Sequence, residues 1–319
     1  MKSLKSLLCG SVVLAAALAA SAPAFAWPDR PIEIVVGFAA GGGTDITART
    51  LAQHLGKALG GQVVVNNKPG ASGAIGMAYV ARAKPDGHTL GMTNFPGLLT
   101  LPIERDAGFT TADFTYLGNL VRDPSAFSVA IDSPYKTVAD VVAAARKAPG
   151  TISYGSTGAG TDDHLQMVMF EELTGTKLLH VPFQGAGPLK TAMLGGHVAI
   201  GGLNLGEVMP QAGKTMRPLA QASAKPSTLA TDVPTFRQQG VDLVFASERG
   251  IVAPKGLPAD VEQKIATALR QIAASPEFQA QMKQQFTEMD YLPGAEWKKR
   301  LEAAESNFRR MWAQKRWTE

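Results

Sequence analysis

The chain has 319 residues, of which 31 are basic and 27 acidic, so its formal charge is +4. This near balance argues against a nucleic-acid-binding protein, which would carry a strongly basic patch or stripe. Cys9 is the only cysteine and lies close to the amino terminus. The rest of the chain therefore has no disulfide, no thiolate nucleophile and no cysteine-ligated metal.

The amino terminus has the pattern of a cleavable export signal. Lys2 and Lys5 precede an apolar stretch at 7–20, and the letters AFA at 24–26 supply the small residues of a cleavage site. We predict cleavage after Ala26 and export from the cytoplasm, which leaves 29 basic and 27 acidic residues. An uncleaved anchor is disfavoured, because the apolar stretch is shorter than the roughly 20 residues that span a bilayer.

After this leader, short apolar runs alternate with helical patterns. A run of β-branched residues indicates a buried strand, and Leu51, Leu55 and Leu59 form one stripe of the helix that follows it. Strand, helix and strand in this order imply right-handed crossovers and a mostly parallel sheet. The predicted elements of this part are strands at 32–36, 63–65 and 89–93 and helices at 45–59 and 74–83.

The same alternation restarts near residue 127 and predicts a second unit of similar design. Thr137 is the expected N-cap of its first helix, and three helices close the chain. The predicted strands lie at 127–131, 152–154, 178–181, 198–203 and 217–222, and the helices at 138–147, 163–173, 188–194, 258–274, 276–285 and 295–317.

The length after cleavage favours two lobes over one core. No flexible linker is visible, so the chain is expected to cross between lobes near 120–127 and 243–253. The predicted fold is α/β and two-lobed, and each lobe is a mostly parallel sheet flanked by helices. Residues 27–122 and 249–319 form the first lobe, and residues 123–248 form an inserted second lobe.

Two glycine-rich turns stand at matching positions in the two units. Residues 38–45 (FAAGGGTD) and 154–161 (YGSTGAGT) each follow a predicted strand and open a helix. A helix N-terminus offers unpaired N–H groups and partial positive charge, which suit an anion. Facing each other across a cleft, the turns would hold one carboxylate and keep the lobes closed. Each turn alone has a simpler explanation, a tight bend that needs positive φ.

Other chemistries fail on spacing. Neither turn has the Gly-Lys-Ser/Thr end of a phosphate-binding P-loop, and the first does not match the dinucleotide pattern. Ser156 is not in a nucleophile elbow, because Tyr154 stands where that motif has its first glycine. The five histidines show no metal-ligand spacing. We therefore expect no metal and no cofactor.

At these turns the sequence resembles the periplasmic substrate-binding proteins of tripartite tricarboxylate transporters, the Bug or TctC-like family. The resemblance covers essentially the whole chain after the leader. The motifs that carry it are GGGTDI at 41–46, VNNKPGASG at 65–73, KPDGHTL at 84–90, HVPFQG at 180–185, GGHV at 195–198, DVPT at 232–235 and APKGLP at 253–258.

The resemblance implies a Venus-flytrap fold, no catalysis and one ligand carboxylate held by both turns. Such proteins take organic acids, acidic amino acids or aromatic carboxylates. Carried over by position, the binding residues are Phe38, Ala40, Gly42, Thr44 and Asp45 in the first turn and Ser156, Thr157, Gly158, Gly160, Thr161 and His164 in the second.

Further candidates come from strand ends and from departures from the family pattern. Phe183-Gln184 stands where Tyr-Lys is common, which removes a cation near the cleft and brings Gln184 into the candidate set. Asp162 and Asp163 add acid beside the second turn. The candidates at strand ends and beside the hinge are Asn94, Phe95, Asn204 and Arg249.

Several of these candidates have alternative roles. Asp45 would bind a ligand donor or simply favour the helix dipole, and His164 would reach the ligand or only cap and pack. Arg249 would pair with a second ligand carboxylate, or with Glu248 or another residue of the protein.

The sequence thus predicts a monomeric solute-binding protein that closes on a small carboxylate and delivers it to the membrane permease of a tripartite tricarboxylate-type transporter. Two alternatives remain open. One is a solute sensor that presents its closed form to a signalling partner. The other is an exported hydrolase that uses Ser156 or Thr157 with His164 as base.

Overall fold

The computed structural model describes residues 27–318, so the predicted leader and its cleavage site lie outside the described residues. No helix in this part of the chain combines the length and the hydropathy of a membrane span. The strands are β1 (Ile32–Val36), β2 (Val63–Asn67), β3 (Thr89–Met92), β4 (Phe114–Ala130), β5 (Ser153–Ser156), β6 (Leu179–Pro182), β7 (Ile200–Asn204), β8 (Met216–Gln221), β9 (Ala246–Pro254) and β10 (Glu288–Pro293).

The α-helices pack on both sides of these strands. They are α1 (Gly43–Leu59), α2 (Ala74–Arg82), α3 (Gly97–Glu104), α4 (Val138–Lys147), α5 (Asp162–Thr174), α6 (Ala186–Leu194), α7 (Leu205–Val208), α8 (Ala259–Ala274), α9 (Pro276–Gln284) and α10 (Gly294–Gln314).

The architecture is two-lobed, as predicted. The strand order is β2-β1-β3-β9-β4-β7-β5-β6, and both β8 and β10 pair with β4. Each lobe contributes three parallel strands, β1 to β3 in the first and β5 to β7 in the second. Every antiparallel pair involves β4 or β9. The predicted lobe boundaries at 122/123 and 248/249 fall inside these two strands.

Two apolar layers cover the first-lobe sheet. On one side Leu51 and Leu55 of α1 pack with α8, which supplies Ile265 and Leu269. On the other side α2, α3 and α10 bury the fully enclosed Trp297 and its neighbours. The second lobe has its own core, and Phe127, Tyr154, Phe170 and Phe236 form its aromatic centre. Each lobe thus buries the apolar stripe that its sequence pattern predicts.

The structure differs from the predicted elements in one strand that is longer than predicted and in elements that were not predicted. The strand predicted at 127–131 is only the end of β4, which begins at Phe114. Helix α3 was not predicted, because its sequence GLLTLPIE is apolar all round and contains Pro102, so no helical period is visible. Strand β10 was also missed, because the alternation of charged and apolar residues at 288–291 covers only four positions and then ends in Leu292 and Pro293.

Helix α4 provides a direct test of the predicted cap. The Thr137 hydroxyl accepts from the Asp140 N–H at 3.2 Å, and the Asp140 carboxylate accepts from the Thr137 N–H at 2.8 Å. We expect Thr137→Ala to lower the free energy of unfolding by about 1 kcal/mol in urea denaturation, because the helix end loses one acceptor. The control is Ser306→Ala in α10, where the hydroxyl bonds back to Glu302 inside the helix. Ser306→Ala should leave the free energy of unfolding unchanged, and equal losses in both variants would contradict this role of the cap.

Candidate functional site

The two glycine turns face each other where the lobes meet. The helix N-terminus of α1 comes from the first lobe, and the end of β7 and the turn after β5 come from the second. Six of the predicted site residues line one small space between them. These residues are Phe38, Gly42, Thr44, Asn94, Thr157 and Asn204, and they are joined there by Gly43, Ala186 and Glu207.

The cleft is closed in this structure, and the closing contacts are mostly made by backbone. The Ala39 N–H donates to the Gln184 carbonyl at 3.1 Å. The Thr100 hydroxyl donates to the Gly160 carbonyl at 2.5 Å. A Cβ on Gly158 would lie only 2.5 Å from the Ser72 hydroxyl oxygen. The free volume left in the central space is about 10 Å³, which is about the room of one water molecule.

The first turn binds a carboxylate of the protein, that of Glu207. The Gly43 N–H, in the first turn of α1, donates to Glu207 Oε1 at 2.7 Å, and the Asn204 N–H donates to Glu207 Oε2 at 3.0 Å. A carboxylate is favourable at a helix N-terminus, where N–H groups lack partners within the helix. Glu207 was not among the predicted site residues, although the pattern Asn-x-x-Glu at 204–207 is that of a capping box.

The second turn uses its N–H groups internally, in contrast to the expectation that they are free for a ligand. The N–H of Thr157 donates to Asp163 Oδ2 at 3.2 Å, that of Gly158 to the Ser156 hydroxyl at 3.2 Å, and that of Gly160 to His164 Nδ1 at 3.1 Å. The reason is local: Asp163 and His164 lie in the first turn of α5, and their side chains fold back over the turn that precedes the helix.

Asp45 stabilises the conformation of the first turn. Its carboxylate accepts from the Gly41 N–H at 2.9 Å and from the amide of Asn67 at 2.9 Å, and it forms an ion pair with Arg49. Burial raises the pKa of this carboxyl, but the hydrogen bonds from Arg49, Gly41 and Asn67 outweigh burial and bring the pKa below its usual value. These contacts favour the structural role over contact with a ligand.

Arg249 lies behind the cleft and is paired with the protein. Its guanidinium is 1% exposed and donates to Asp123 Oδ2 at 2.9 Å and to Asn204 Oδ1 at 3.1 Å. Glu248, the alternative partner, pairs with Arg300 instead. Burial raises the pKa of Asp123 to about 7, even though Arg249 lies beside it and lowers it.

Two further acids share this interior. Asp162 accepts from the Asn204 amide at 2.8 Å, and burial raises its pKa to about 6. Asp163 accepts from the Thr157 hydroxyl at 2.5 Å, and burial together with the charge of Asp162 raises its pKa well above the usual value. The interior behind the cleft therefore has more carboxyl groups than cations, and each of these carboxyl groups accepts hydrogen bonds.

His164 and His180 form a stacked pair in the second lobe. Their ring centroids are 4.1 Å apart, and His180 Nε2 lies 2.6 Å from the Ser156 hydroxyl. Burial lowers the pKa of His164 to about 3, with a contribution from His180, and lowers that of His180 to about 4. Both rings face a second pocket that Trp317 and its neighbours also line, rather than the central space.

The remaining predicted site residues do not line the central space. The Phe95 ring packs against Phe308 at a centroid distance of 5.9 Å. Ala40 and Gln184 are exposed on the cleft rim, where Gln184 contributes only its carbonyl. The Thr161 hydroxyl donates to the Gly158 carbonyl at 2.7 Å and shapes the second turn. Within residues 27–318 no group of acids and histidines is arranged to hold a metal ion.

The buried Asp123–Arg249 pair predicts a pH-dependent loss of stability. Arg249→Met leaves Asp123 buried without its cation, which typically costs about 3–5 kcal/mol. Because a protonated Asp123 has no charge to compensate, the loss should be larger at pH 8 than at pH 5. Chemical denaturation at both pH values measures it. Arg270→Met, an exposed arginine of α8, is the control, and a loss independent of pH would contradict this account.

The histidine pair contributes a loss of stability in acid. Both pKa values lie below the usual 6.5, so at these two sites the unfolded chain binds protons that the folded chain does not, and their contribution to stability falls as pH drops from about 6.5 towards 4. The buried Asp123 and Asp162, whose pKa values are raised, contribute with the opposite sign. His180→Gln should remove the share of His180 from the pH dependence of stability, at most about 1.4 kcal/mol per pH unit. Denaturation midpoints from pH 7 to pH 4.5 test it. The exposed His197 gives the control, His197→Gln, whose slope should equal that of the parent.

Comparison with known proteins agrees with this geometry. The family model described as "Tripartite tricarboxylate transporter family receptor" (TctC) matches residues 47–310. A Cupriavidus necator protein described as "UPF0065 protein in gbd 5'region" is 35% identical over 265 residues, which cover 82% of this chain and 80% of that protein.

Solved structures give the same result. One described as a periplasmic transporter has a TM-score of 0.85 and 33% identity, and the match covers 91% of this chain and 98% of that one. An R. palustris protein solved with adipate has a TM-score of 0.86 and 29% identity over 90% of this chain and 97% of its own. The predicted family is confirmed: this chain belongs to the TctC family of periplasmic solute-binding receptors.

Proposed function

We propose that this receptor captures a small organic carboxylate between its lobes and delivers it to the membrane permease of a tripartite tricarboxylate-type transporter. The ligand classes are a dicarboxylate, an aromatic carboxylate or an acidic amino acid. The observation that carries the proposal is the N-terminus of α1, which lies in the cleft wall opposite Thr157 and Asn204 of the other lobe. Closure would bring donors from both lobes to one ligand.

The solved relative with adipate supports a carboxylate ligand for this chain. The remaining N–H groups of the first turn of α1, those of Thr44 and Asp45, have no partner within the helix and are suited to an anionic oxygen. Phe38 in the lining adds an apolar surface for the body of the ligand. We further propose that the chain acts in the periplasm as a monomer, after cleavage behind Ala26.

Binding without catalysis fits the groups in the cleft. The hydrolase alternative requires His164 as the base for Ser156 or Thr157, but His164 accepts from the Gly160 N–H, and Thr157 pairs with Asp163. Ser156 does lie beside His180, but the His180 ring lines the second pocket rather than the central space. A sensor would use the same closed state as a transport receptor, and an uptake defect on deletion of the gene would favour transport.

Ligand binding should raise the melting temperature by mass action. We expect at least one member of a carboxylate panel to do so, and Gly158→Ala to weaken its binding at least tenfold, because the new Cβ meets Ser72 when the lobes close. The control is Gly213→Ala, which also has a positive φ (73°, against 139° at Gly158) but nothing within 4 Å of the new Cβ. Thermal shift and calorimetry measure both effects. The proposal fails if no carboxylate binds, or if both glycine variants bind like the parent.

A further inference from the structure

Glu207 is the only charged side chain among the residues that line the central space. It is 7% exposed and reaches from α7 of the second lobe to the N-terminus of α1 in the first. Its two oxygens each accept a backbone N–H, one from each lobe. The positive end of α1 thus already faces a negative charge of the protein, which is a favourable contact.

This placement works against a second ligand carboxylate. A ligand anion near Gly43 would meet the Glu207 carboxylate at close range, and two like charges in a buried site repel strongly. Arg249 offsets only part of this repulsion, because its guanidinium lies near Glu207 but donates to Asp123 and Asn204. Asp162, which accepts from the Asn204 amide, adds to the negative potential when it is ionised.

The same wall is rich in acceptors. A carboxylate has about four acceptor positions, and the described contacts of Glu207 use two of them. Asn94 lines the same space, and its buried Oδ1 has no hydrogen-bond partner among residues 27–318. Its Nδ2 is occupied by the hydroxyl of Ser247 at 2.9 Å. A buried acceptor without a donor is costly, so these two side chains together favour a ligand that brings N–H groups.

We propose that Glu207 is the specificity-determining residue of the cleft, and that it selects a carboxylate carrying an ammonium group over a dicarboxylate of the same length. This inference rests on the proposed function, since it concerns the same cleft. The ammonium group would lie between Glu207 and Asn94. The ligand carboxylate would lie at the N–H groups of Thr44 and Asp45, next to the Gly43 N–H that Glu207 occupies, and the ammonium group would offset the repulsion between the two carboxylates. An amino acid is the class of solute that meets both conditions.

Calorimetry with matched pairs of ligands tests the inference. Succinate is compared with β-alanine, glutarate with γ-aminobutyrate and adipate with δ-aminovalerate, so that each pair exchanges one carboxylate for an ammonium group. L-Glutamate against glutarate and L-aspartate against succinate add an ammonium group instead. We expect the ammonium-bearing member to bind at least tenfold tighter in one or more pairs. No dicarboxylate that lacks an ammonium group should bind tighter than its partner.

Substitutions then assign the preference to Glu207. Glu207→Gln should reduce the affinity ratio of the responding pair at least tenfold, while Gln can still accept from the Gly43 N–H. Glu207→Asp keeps the charge and should keep the sign of the preference, which covers the case in which the Gln variant does not fold. The exposed Glu172 gives the control, Glu172→Gln, which should leave the ratio unchanged.

The outcomes separate the two proposals. Dicarboxylates that bind as tightly as their partners, or a ratio that Glu207→Gln leaves intact, overturn the inference about Glu207 and leave carboxylate capture standing. If neither these ligands nor any other member of the carboxylate panel, aromatic carboxylates included, binds, the proposed function falls, and the inference falls with it.

Discussion

The pairing of β4 with β9 is the constraint on which the rest of the molecule depends. The two strands run antiparallel from Phe114 opposite Pro254 to Pro124 opposite Ala246, and they pass from one lobe into the other. Asp123 and Arg249 sit near the end of this ladder and form an ion pair that is almost fully buried. Because this pair also binds Asn204 and Gly206, the strand register fixes where α7 begins and where Glu207 points.

The lobes and their core faces could be predicted from the sequence, because each depends on local pattern. Helix α4 begins and ends at the predicted residues, since its cap and its apolar period lie within ten neighbouring positions. The glycine turns were also visible. Asn94 was identified because it follows a predicted strand, whereas Thr44 and Thr157, which line the same space, were carried over from the family resemblance.

The partners of those residues could not be predicted, because they come from distant parts of the chain. Nothing near Arg249 in the sequence indicates Asp123 rather than Glu248, and only the strand register decides between them. Likewise, His180 becomes the partner of Ser156 because β5 and β6 are parallel neighbours that place Tyr154 opposite His180. The position of Glu207 against Gly43 depends on how the lobes close, and no local pattern contains that information.

The closing surfaces are built from glycine backbone, and under the proposed function this has a consequence for delivery to a membrane partner. Gly43, Gly158 and Gly160 allow the lobes to approach until only a small central space remains. A solute too large for this space would hold the lobes further apart around it than they are here. The angle between the lobes would then depend on the size of the captured molecule. A partner that contacts both lobes at once would sense the cargo from this angle, without touching the cargo itself.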